Sequence, residues 1–215
     1  MTRVLAIETS TANCAVSIVG EGECYSIQHV APQQHAQLIL PMIEQALAET
    51  GLNASQLDLL AFGEGPGAFT GLRIAAGVVQ GLALGWQKPV VAISSLEALA
   101  FQGFQQTQHL TWLACLDARM GEVYSQSCHF SPQGDLIASS AAILSKPDSV
   151  KLEKNQRGVG DIAEAYPALV SQFDSWLNGV PNAESVAYLA LQRADQAQDV
   201  FEQIPQPVYL RPSVS

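Results

Sequence analysis

The stretch Phe62-Gly-Glu-Gly-Pro-Gly-Ala-Phe-Thr-Gly-Leu-Arg73 and the segment after it, Ile74-Ala-Ala-Gly-Val-Val-Gln-Gly-Leu-Ala-Leu-Gly85, decide the fold of this chain. The apolar run Leu57–Phe62 predicts a buried strand, and the glycines and proline predict a loop after it. The segment after the loop predicts a helix that is apolar on almost every side, with Arg73 as its only charge. A helix of this kind is buried on all sides. One face would cover the sheet, and we expect another protein to cover the other face.

Length and charge limit the possible functions. The chain has 215 residues, which allows one large domain or two small ones, and 48% of them are hydrophobic. Its net charge is −10, and its ten lysines and arginines do not cluster. Because nucleic-acid affinity comes mainly from cations that neutralise phosphates, we expect no strong direct binding of RNA or DNA.

The cysteines and the N-terminus favour a cytoplasmic protein. No pair of cysteines has CxxC spacing, and we expect all four to be reduced, buried thiols. They are Cys14, Cys24, Cys115 and Cys128. Glu8 comes too early for a signal peptide. Glycines and polar residues interrupt every long apolar stretch, so no membrane span is predicted.

Periodicity and turn signals in the first half predict the element order βββαβαβα. The predicted strands are Val4–Ile7, Cys14–Val19, Cys24–Val30, Leu57–Phe62 and Pro89–Ile93, and the predicted helices cover Leu38–Leu47, Thr70–Gly85 and Ser95–Phe104. In the second half we predict a strand over Leu136–Leu144 and helices over Asp161–Tyr166 and Ser185–Gln196.

The two halves share a weak internal repeat. Leu5–Glu8 and Ala114–Asp117 are both apolar strands that end in a carboxylate, and a short turn and a second strand follow each. Two such meanders with crossover helices predict an α/β fold of two tandem RNase H-like domains, as in the actin, hexokinase and Hsp70 superfamily. The glutamine-rich segment Gln102–Gln108 suggests domains at residues 1–104 and 105–215, the second of them reduced.

Five motifs carry a resemblance to a known family. They are Ile7-Glu-Thr-Ser10, Gly63-Glu-Gly-Pro-Gly-Ala-Phe-Thr-Gly-Leu-Arg73, Gln80-Gly-Leu-Ala-Leu84, Asp117-Ala-Arg-Met-Gly-Glu-Val-Tyr124 and Pro207-Val-Tyr-Leu-Arg211. Together they resemble the TsaB family, also called YeaZ, nearly from end to end.

The resemblance implies a non-catalytic subunit of the bacterial machinery that makes threonylcarbamoyladenosine in tRNA. Its implied partners are a TsaD-type catalytic subunit and a TsaE-type ATPase, while TsaC-type enzymes supply the threonylcarbamoyl-adenylate donor. We therefore expect no cofactor, and contact with tRNA only through the complex.

We predict that the partner binds to the two apolar helices of the first half. The interface residues we expect are His35, Leu38, Ile39, Met42, Thr70, Gly71, Arg73, Ile74, Ala75, Gly77 and Val78. Because large apolar patches rarely stay exposed, the isolated chain is expected to form a homodimer through the same surface.

The glycine loop has two interpretations. Glycine loops before helices bind phosphates through free backbone N–H groups. A Walker A loop, however, needs Gly-Lys-Ser/Thr, and here the sequence is Thr70-Gly-Leu-Arg73, with the anionic Glu64 nearby. We favour the second interpretation, in which the glycines permit a tight turn and let two helices pack closely.

Glu8, Asp117 and Arg119 suggest a vestigial cleft. In ATPases of this superfamily, carboxylates at the two equivalent strand ends hold magnesium, which makes a magnesium-dependent ATP-binding kinase or hydrolase the alternative function. The simpler interpretation is that each carboxylate accepts backbone hydrogen bonds in its own turn. For Asp117 and Arg119, a cleft site and a local ion pair stay equally open.

A metal-dependent protease is the least favoured function. TsaD-like proteins carry a His-x-x-x-His motif at a position where this chain has Ser95 and Leu99. Leucine cannot ligate iron or zinc, and the four histidines have no ligand spacing. We therefore predict no metal site and no catalytic residues.

Overall fold

The computed structural model describes residues 2–211 as eleven strands and five helices, with three short 3-10 turns. The strands are β1 Val4–Glu8, β2 Asn13–Gly20, β3 Glu23–Val30, β4 Leu59–Gly65, β5 Val90–Ser94, β6 Thr111–Arg119, β7 Glu122–Phe130, β8 Leu136–Ser139, β9 Ile143–Ser145, β10 Arg157–Gly160 and β11 Ser175–Asn178. The helices are α1 His35–Thr50, α2 Phe69–Trp86, α3 Ser95–Thr107, α4 Pro167–Val170 and α5 Ala183–Gln192.

The chain forms two compact units. The first contains Thr2–Ser95 together with Pro181–Val208, and the second contains Leu96–Val180 and Tyr209–Arg211. The single boundary that we expected after residue 104 does not describe this division. The reason is that α3 groups with the second unit, whereas α5 and the segment after it return to the first.

The first unit is built on a five-stranded sheet in the order β3-β2-β1-β4-β5. The pairs β1–β2 and β2–β3 are antiparallel, and β4 lies parallel to β1 and β5. This is the arrangement that the order βββαβαβ predicts, because a parallel pair needs a crossover helix between its strands.

The central strand β1 is buried at all five residues, so the sheet needs a cover on both faces. Leu5 and Ile7 lie in one core cluster with Ile39 and Ile43 of α1 and with Ala75 and Val79 of α2. Val186 and Leu189 of α5 are also fully buried but lie outside that cluster, and α5 packs along β1, β2 and β4. The late helix therefore supplies the cover for the other face.

The second unit contains a sheet in the order β11-β10-β6-β7-β8, with β9 also paired to β7. The hairpin β6–β7 repeats the antiparallel start of the first unit, and β10 lies parallel to β6 and β11. Its core includes Leu113, Cys115, Ile162 and Phe173. The chain is thus an α/β protein with two tandem RNase H-like domains, and the fold class expected from the sequence is confirmed.

Several local predictions for the second half were wrong. Asp161–Tyr166 forms turns, and a helix begins only at Pro167, a residue that fits the first helical position. Leu136–Leu144 is divided into β8 and the start of β9, and β11 was missed.

Cys24 is exposed, whereas the other three cysteines are buried as expected. Within residues 2–211, no helix is long and apolar enough to cross a membrane.

Candidate partner interface and glycine loop

Two glycines, Gly67 of the loop and Gly71 in the first turn of α2, allow two chain segments to touch. A Cβ on Gly67 would collide with the backbone and Cβ of Ser10, and one on Gly71 would collide with the carbonyl oxygen of Thr9. Across the same contact, the N–H of Ala68 donates to the carbonyl of Ser10 (2.6 Å) and the Thr9 hydroxyl donates to the carbonyl of Gly71 (2.8 Å). This contact joins the loop and the start of α2 to the β1–β2 turn, whereas the favoured interpretation expected close packing of two helices.

Gly65 is required for a different reason. Its φ is +107°, in a region that L-residues with side chains rarely adopt. A Cβ there would also lie 2.9 Å from Leu72 Cδ1 and 3.0 Å from the carbonyl oxygen of Val208. The loop conformation at the end of β4 therefore depends on glycine.

The predicted interface residues divide into two groups. His35, Ile39, Met42, Gly71 and Ala75 are buried in the first unit, so their side chains are not available to a partner. Leu38, Ile74 and Val78 are half-buried, and Thr70, Arg73 and Gly77 are exposed. The interface prediction is therefore narrowed to the second group, because α1 and α2 use their other faces to cover the sheet.

The outer face of α2, defined here by Ile74, Gly77, Val78, Gly81, Leu82 and Gly85, is glycine-rich and open. A Cβ on any of its three glycines would meet nothing within 4 Å. The three apolar residues are half-buried and pack against the core from its edge. Each glycine within a helix costs about 1 kcal/mol relative to alanine, and among the described residues no close contact at these three positions compensates for that cost.

Arg73 is the one charge of α2, and it lies at the edge of this face. Its guanidinium carbon is 3.9 Å from the centroid of the Phe69 ring, in a cation–π contact. Phe69 is 52% exposed, and Leu84 and Leu40 are similarly exposed. The N-terminal end of α2 thus presents an aromatic ring and a cation to the surroundings.

His35 begins α1 and is 6% exposed. Within the described part of the chain, its Nε2 atom has no hydrogen-bond partner. The His35 side chain is therefore buried within the first unit, whereas we expected it to lie at the partner interface.

Glu8 lies inside the first unit at the end of β1. Its carboxylate accepts hydrogen bonds from the backbone N–H of Ser10 (2.6 Å) and from the hydroxyl of Ser95 (2.8 Å). A Cβ on Gly63 would overlap this carboxylate. Burial raises the pKa of Glu8, although the bonds from Ser10 and Ser95 act in the opposite direction. Both carboxylate oxygens are thus engaged, as the turn interpretation predicts.

Asp117 and Arg119 form a local pair at the end of β6. The Asp117 carboxylate accepts from the backbone N–H of Arg119 (2.8 Å), from its guanidinium (2.9 Å) and from the Tyr166 hydroxyl (3.2 Å). Asp161 accepts from the backbone N–H of Asp117 (2.8 Å), and burial raises the pKa of the Asp161 carboxyl. A cleft shared by Glu8 and Asp117 stays a prediction.

The two positions that could have carried metal-binding histidines have structural roles. Ser95 donates to Glu8, and Leu99 is fully buried. Among residues 2–211, no group of three or more His, Cys, Asp or Glu side chains could hold a metal ion. Burial raises the pKa of Cys14 to about 11 and that of Cys115 to about 12, so both thiols stay protonated at neutral pH.

Sequence reasoning missed the role of the last residues. The Arg211 guanidinium donates to Glu122 (2.6 Å), to the carbonyl of Ala118 (3.1 Å) and to the Met120 sulfur (2.8 Å). Arg211 therefore holds the β6–β7 turn. The joint occurrence of the Asp117–Tyr124 and Pro207–Arg211 motifs was the signal that could have suggested this contact.

Each of the two RNase H-like units begins with an antiparallel meander, and this arrangement is that of the actin, hexokinase and Hsp70 superfamily. A family model described as "TsaD: tRNA N6-adenosine threonylcarbamoyltransferase" matches residues 27–161. The tRNA threonylcarbamoyladenosine biosynthesis protein TsaB of Escherichia coli K12 is 33% identical over 222 residues, which cover 99% of this chain and 96% of that protein.

Two further comparisons agree with this match. The TsaB protein of Haemophilus influenzae is 48% identical over 121 residues, 56% of this chain and 51% of that one. The solved structure of YeaZ from Pseudomonas aeruginosa superposes with a TM-score of 0.87 at 36% identity, covering 98% of this chain and all of that one. The chain belongs to the TsaB family, also called YeaZ.

Proposed function

We propose that this chain is a non-catalytic activating subunit of the machinery that makes N6-threonylcarbamoyladenosine in tRNA. The TsaB name of its relatives supports a place in that biosynthesis. In this proposal it binds and activates a TsaD-type threonylcarbamoyltransferase together with a TsaE-type ATPase, in the cytoplasm. Its net charge of −10 favours contact with tRNA only through the complex.

The outer face of α2 carries the proposal. Its glycines are open, so the backbone of this helix can approach another surface closely. Ile74, Val78 and Leu82 lie beside the glycines and are half-buried, so a partner helix would complete their burial. Leu38 of α1 is also half-buried. Without the partner, the same face would pair with a second copy of this chain.

The alternative, a magnesium-dependent ATP-binding enzyme, has weaker support. The Glu8 carboxylate already accepts bonds from Ser10 and Ser95 inside the unit, and Asp117 is paired with Arg119. Calorimetry with ATP and magnesium on the chain alone discriminates between the two functions. Tight binding with turnover would favour the enzyme.

Co-purification with a TsaD homologue, followed by a tRNA-modification assay, tests the main proposal. We expect Gly77→Glu and Gly81→Glu to abolish the complex and the stimulation, because each places a charge on the face that must exclude water. Among the described residues, a Cβ added at either position would meet nothing within 4 Å, so we expect both variants to retain the fold.

Ile137→Glu is the matched control, since Ile137 is a 62% exposed apolar residue on β8 of the second unit. This variant should bind as the unaltered chain does. Normal complex formation by both glycine variants would contradict the proposed face.

A further inference from the structure

A second surface of the first unit is built around its last segment. We call Gln198–Val208 the C-terminal strap. At its start, the backbone of Gln198 exchanges two hydrogen bonds with Val90 of β5, both 2.9 Å. At its end, the N–H of Val208 donates to the carbonyl of Glu64 (2.8 Å). Both ends of the strap are thus fixed to the sheet.

The middle of the strap is also anchored. Pro205 is buried, and its carbonyl accepts a hydrogen bond from Gln80 Nε2 (2.6 Å). This bond accounts for the polar Gln80 in the otherwise apolar α2. Between the anchors, Phe201 and Ile204 are 70% and 57% exposed, so the strap does not fill the space beside the sheet.

A groove of about 730 Å³ lies between the strap and the outer edge of β5. Ala92 of β5 and Ile204 of the strap supply apolar lining, and glutamines of the strap and the turn before it supply polar lining. The volume falls within the range of about 300–1,000 Å³ typical of ligand sites. Apolar surface and side-chain amides together suit a peptide better than a purely apolar ligand.

The edge of β5 beside the groove has an open position. Because Val90 pairs with Gln198 on the side away from β4, the backbone groups of Ala92, two residues on, point to that same side. Across residues 2–211, nothing accepts from the Ala92 N–H or donates to its carbonyl. An unpaired strand edge is a template for pairing with another chain.

The charges around the groove select the sign of the ligand. Glu202 lines it as an exposed carboxylate of the strap, and no described lysine or arginine lines it. This carboxylate disfavours phosphates and acidic peptides, and it favours a segment that carries lysine or arginine.

We propose that this groove binds a short, extended, lysine- or arginine-bearing segment of a partner protein, which adds to β5 as a strand. Backbone hydrogen bonds at Ala92 hold the segment, and the Glu202 carboxylate selects its cation. This site is separate from the outer face of α2 and does not depend on the function proposed above.

The test uses the isolated chain and a fluorescein-labelled heptapeptide that alternates lysine with valine, with fluorescence anisotropy as the readout. A matched peptide with glutamate in place of lysine is the probe control. We expect the lysine peptide to bind at least tenfold more tightly, with slowed hydrogen exchange at the Ala92 amide. Equal binding of the two peptides, or exchange changes only outside the groove, would overturn the proposal.

Two variants separate the backbone contribution from the charge contribution. Ala92→Pro removes the open N–H at an edge position where proline is tolerated, and should weaken binding at least tenfold. Glu202→Lys, on the exposed strap, should weaken binding at least fivefold. Glu44→Lys makes the same charge change at an exposed residue of α1, and it should leave the peptide affinity within twofold of that of the unaltered chain.

The two charge-reversal variants decide the outcome even if Ala92→Pro fails to fold. Equal losses of peptide affinity in Glu202→Lys and Glu44→Lys would mean that the attraction is non-specific and would refute the site. No transferase partner enters the experiment, so its failure is distinguishable from a failure of the function proposed for α2.

Discussion

Glycines of the 62–85 stretch differ in what surrounds them. Gly67 and Gly71 stand where a side chain would collide with the backbone of the β1–β2 turn, whereas Gly77, Gly81 and Gly85 face open space. The first pair is explained by the fold of this chain. Within residues 2–211, no contact explains the second set, and this contrast is what points to a partner. The same residue type thus serves packing at one end of α2 and, in our proposal, recognition along its outer face.

The largest expected effect comes from Gly71→Ala. The new Cβ would overlap the Thr9 carbonyl oxygen, a backbone atom that cannot move without displacing the β1–β2 turn. We expect a loss of about 3 kcal/mol in the free energy of unfolding, measured by urea denaturation. A loss below 0.5 kcal/mol would show that α2 and the β1–β2 turn separate easily, and it would remove the contrast between the packed and the open glycines.

Gly81→Glu should change association more than stability. If isolated chains pair through the outer face of α2, this variant should raise the dimer dissociation constant at least tenfold, about 1.4 kcal/mol, in sedimentation equilibrium. Ile137→Glu, which alters an exposed residue of the second unit, should leave that constant unchanged. A monomeric unaltered chain would refute the homodimer.

Gly77→Ala should change the stability of the isolated chain in the opposite direction to Gly71→Ala. With nothing near the new methyl group, the gain in helix propensity should stabilise the isolated chain by about 0.5–1 kcal/mol. Thermal unfolding of the two alanine variants side by side measures this. A destabilised Gly77→Ala would mean that the outer face is packed after all.

The smallest expected effect concerns Glu8, which lies against Gly63. Its folded pKa is raised by burial above the ordinary value of 4.5, so the folded state binds the proton more tightly than the unfolded state. Stability therefore falls as the pH rises from about 4.5 through the folded pKa, and the loss persists above it. Glu8→Gln should remove that loss while retaining the hydrogen bond from Ser10. Urea denaturation of both proteins at pH 4.5 and 7.5 checks this, and identical pH dependence would contradict it.

Local patterns predicted the first unit well because its strands are apolar and its turns carry glycine. The helix over Leu38–Leu47 was recognisable because its apolar residues recur at helical spacing and Gly51 ends it. The second unit was harder, since β11 is only Ser-Trp-Leu-Asn and α4 is a single turn. Elements as short as these are fixed by tertiary contacts rather than by local propensity.

The candidate site was predicted in position but not in orientation. A helix that is apolar on almost every side gives little sequence signal for which face points inward, so Ala75 and Gly77 were assigned to one surface although Ala75 is buried and Gly77 is exposed. The contacts of Arg211 with the β6–β7 turn and of Gln80 with Pro205 join residues about 90 or more positions apart. No local pattern carries such information.

The return of α5 to the first sheet has a consequence for protein synthesis. The sheet of the first unit is complete in sequence at Ser94, but the helix that covers its second face is not made until Ala183–Gln192 leaves the ribosome. At roughly 5–20 residues per second, the nascent sheet stays uncovered for several seconds. A chaperone that shields Val4 and Ala6 during that interval would therefore be needed more by this chain than by one whose domains are contiguous.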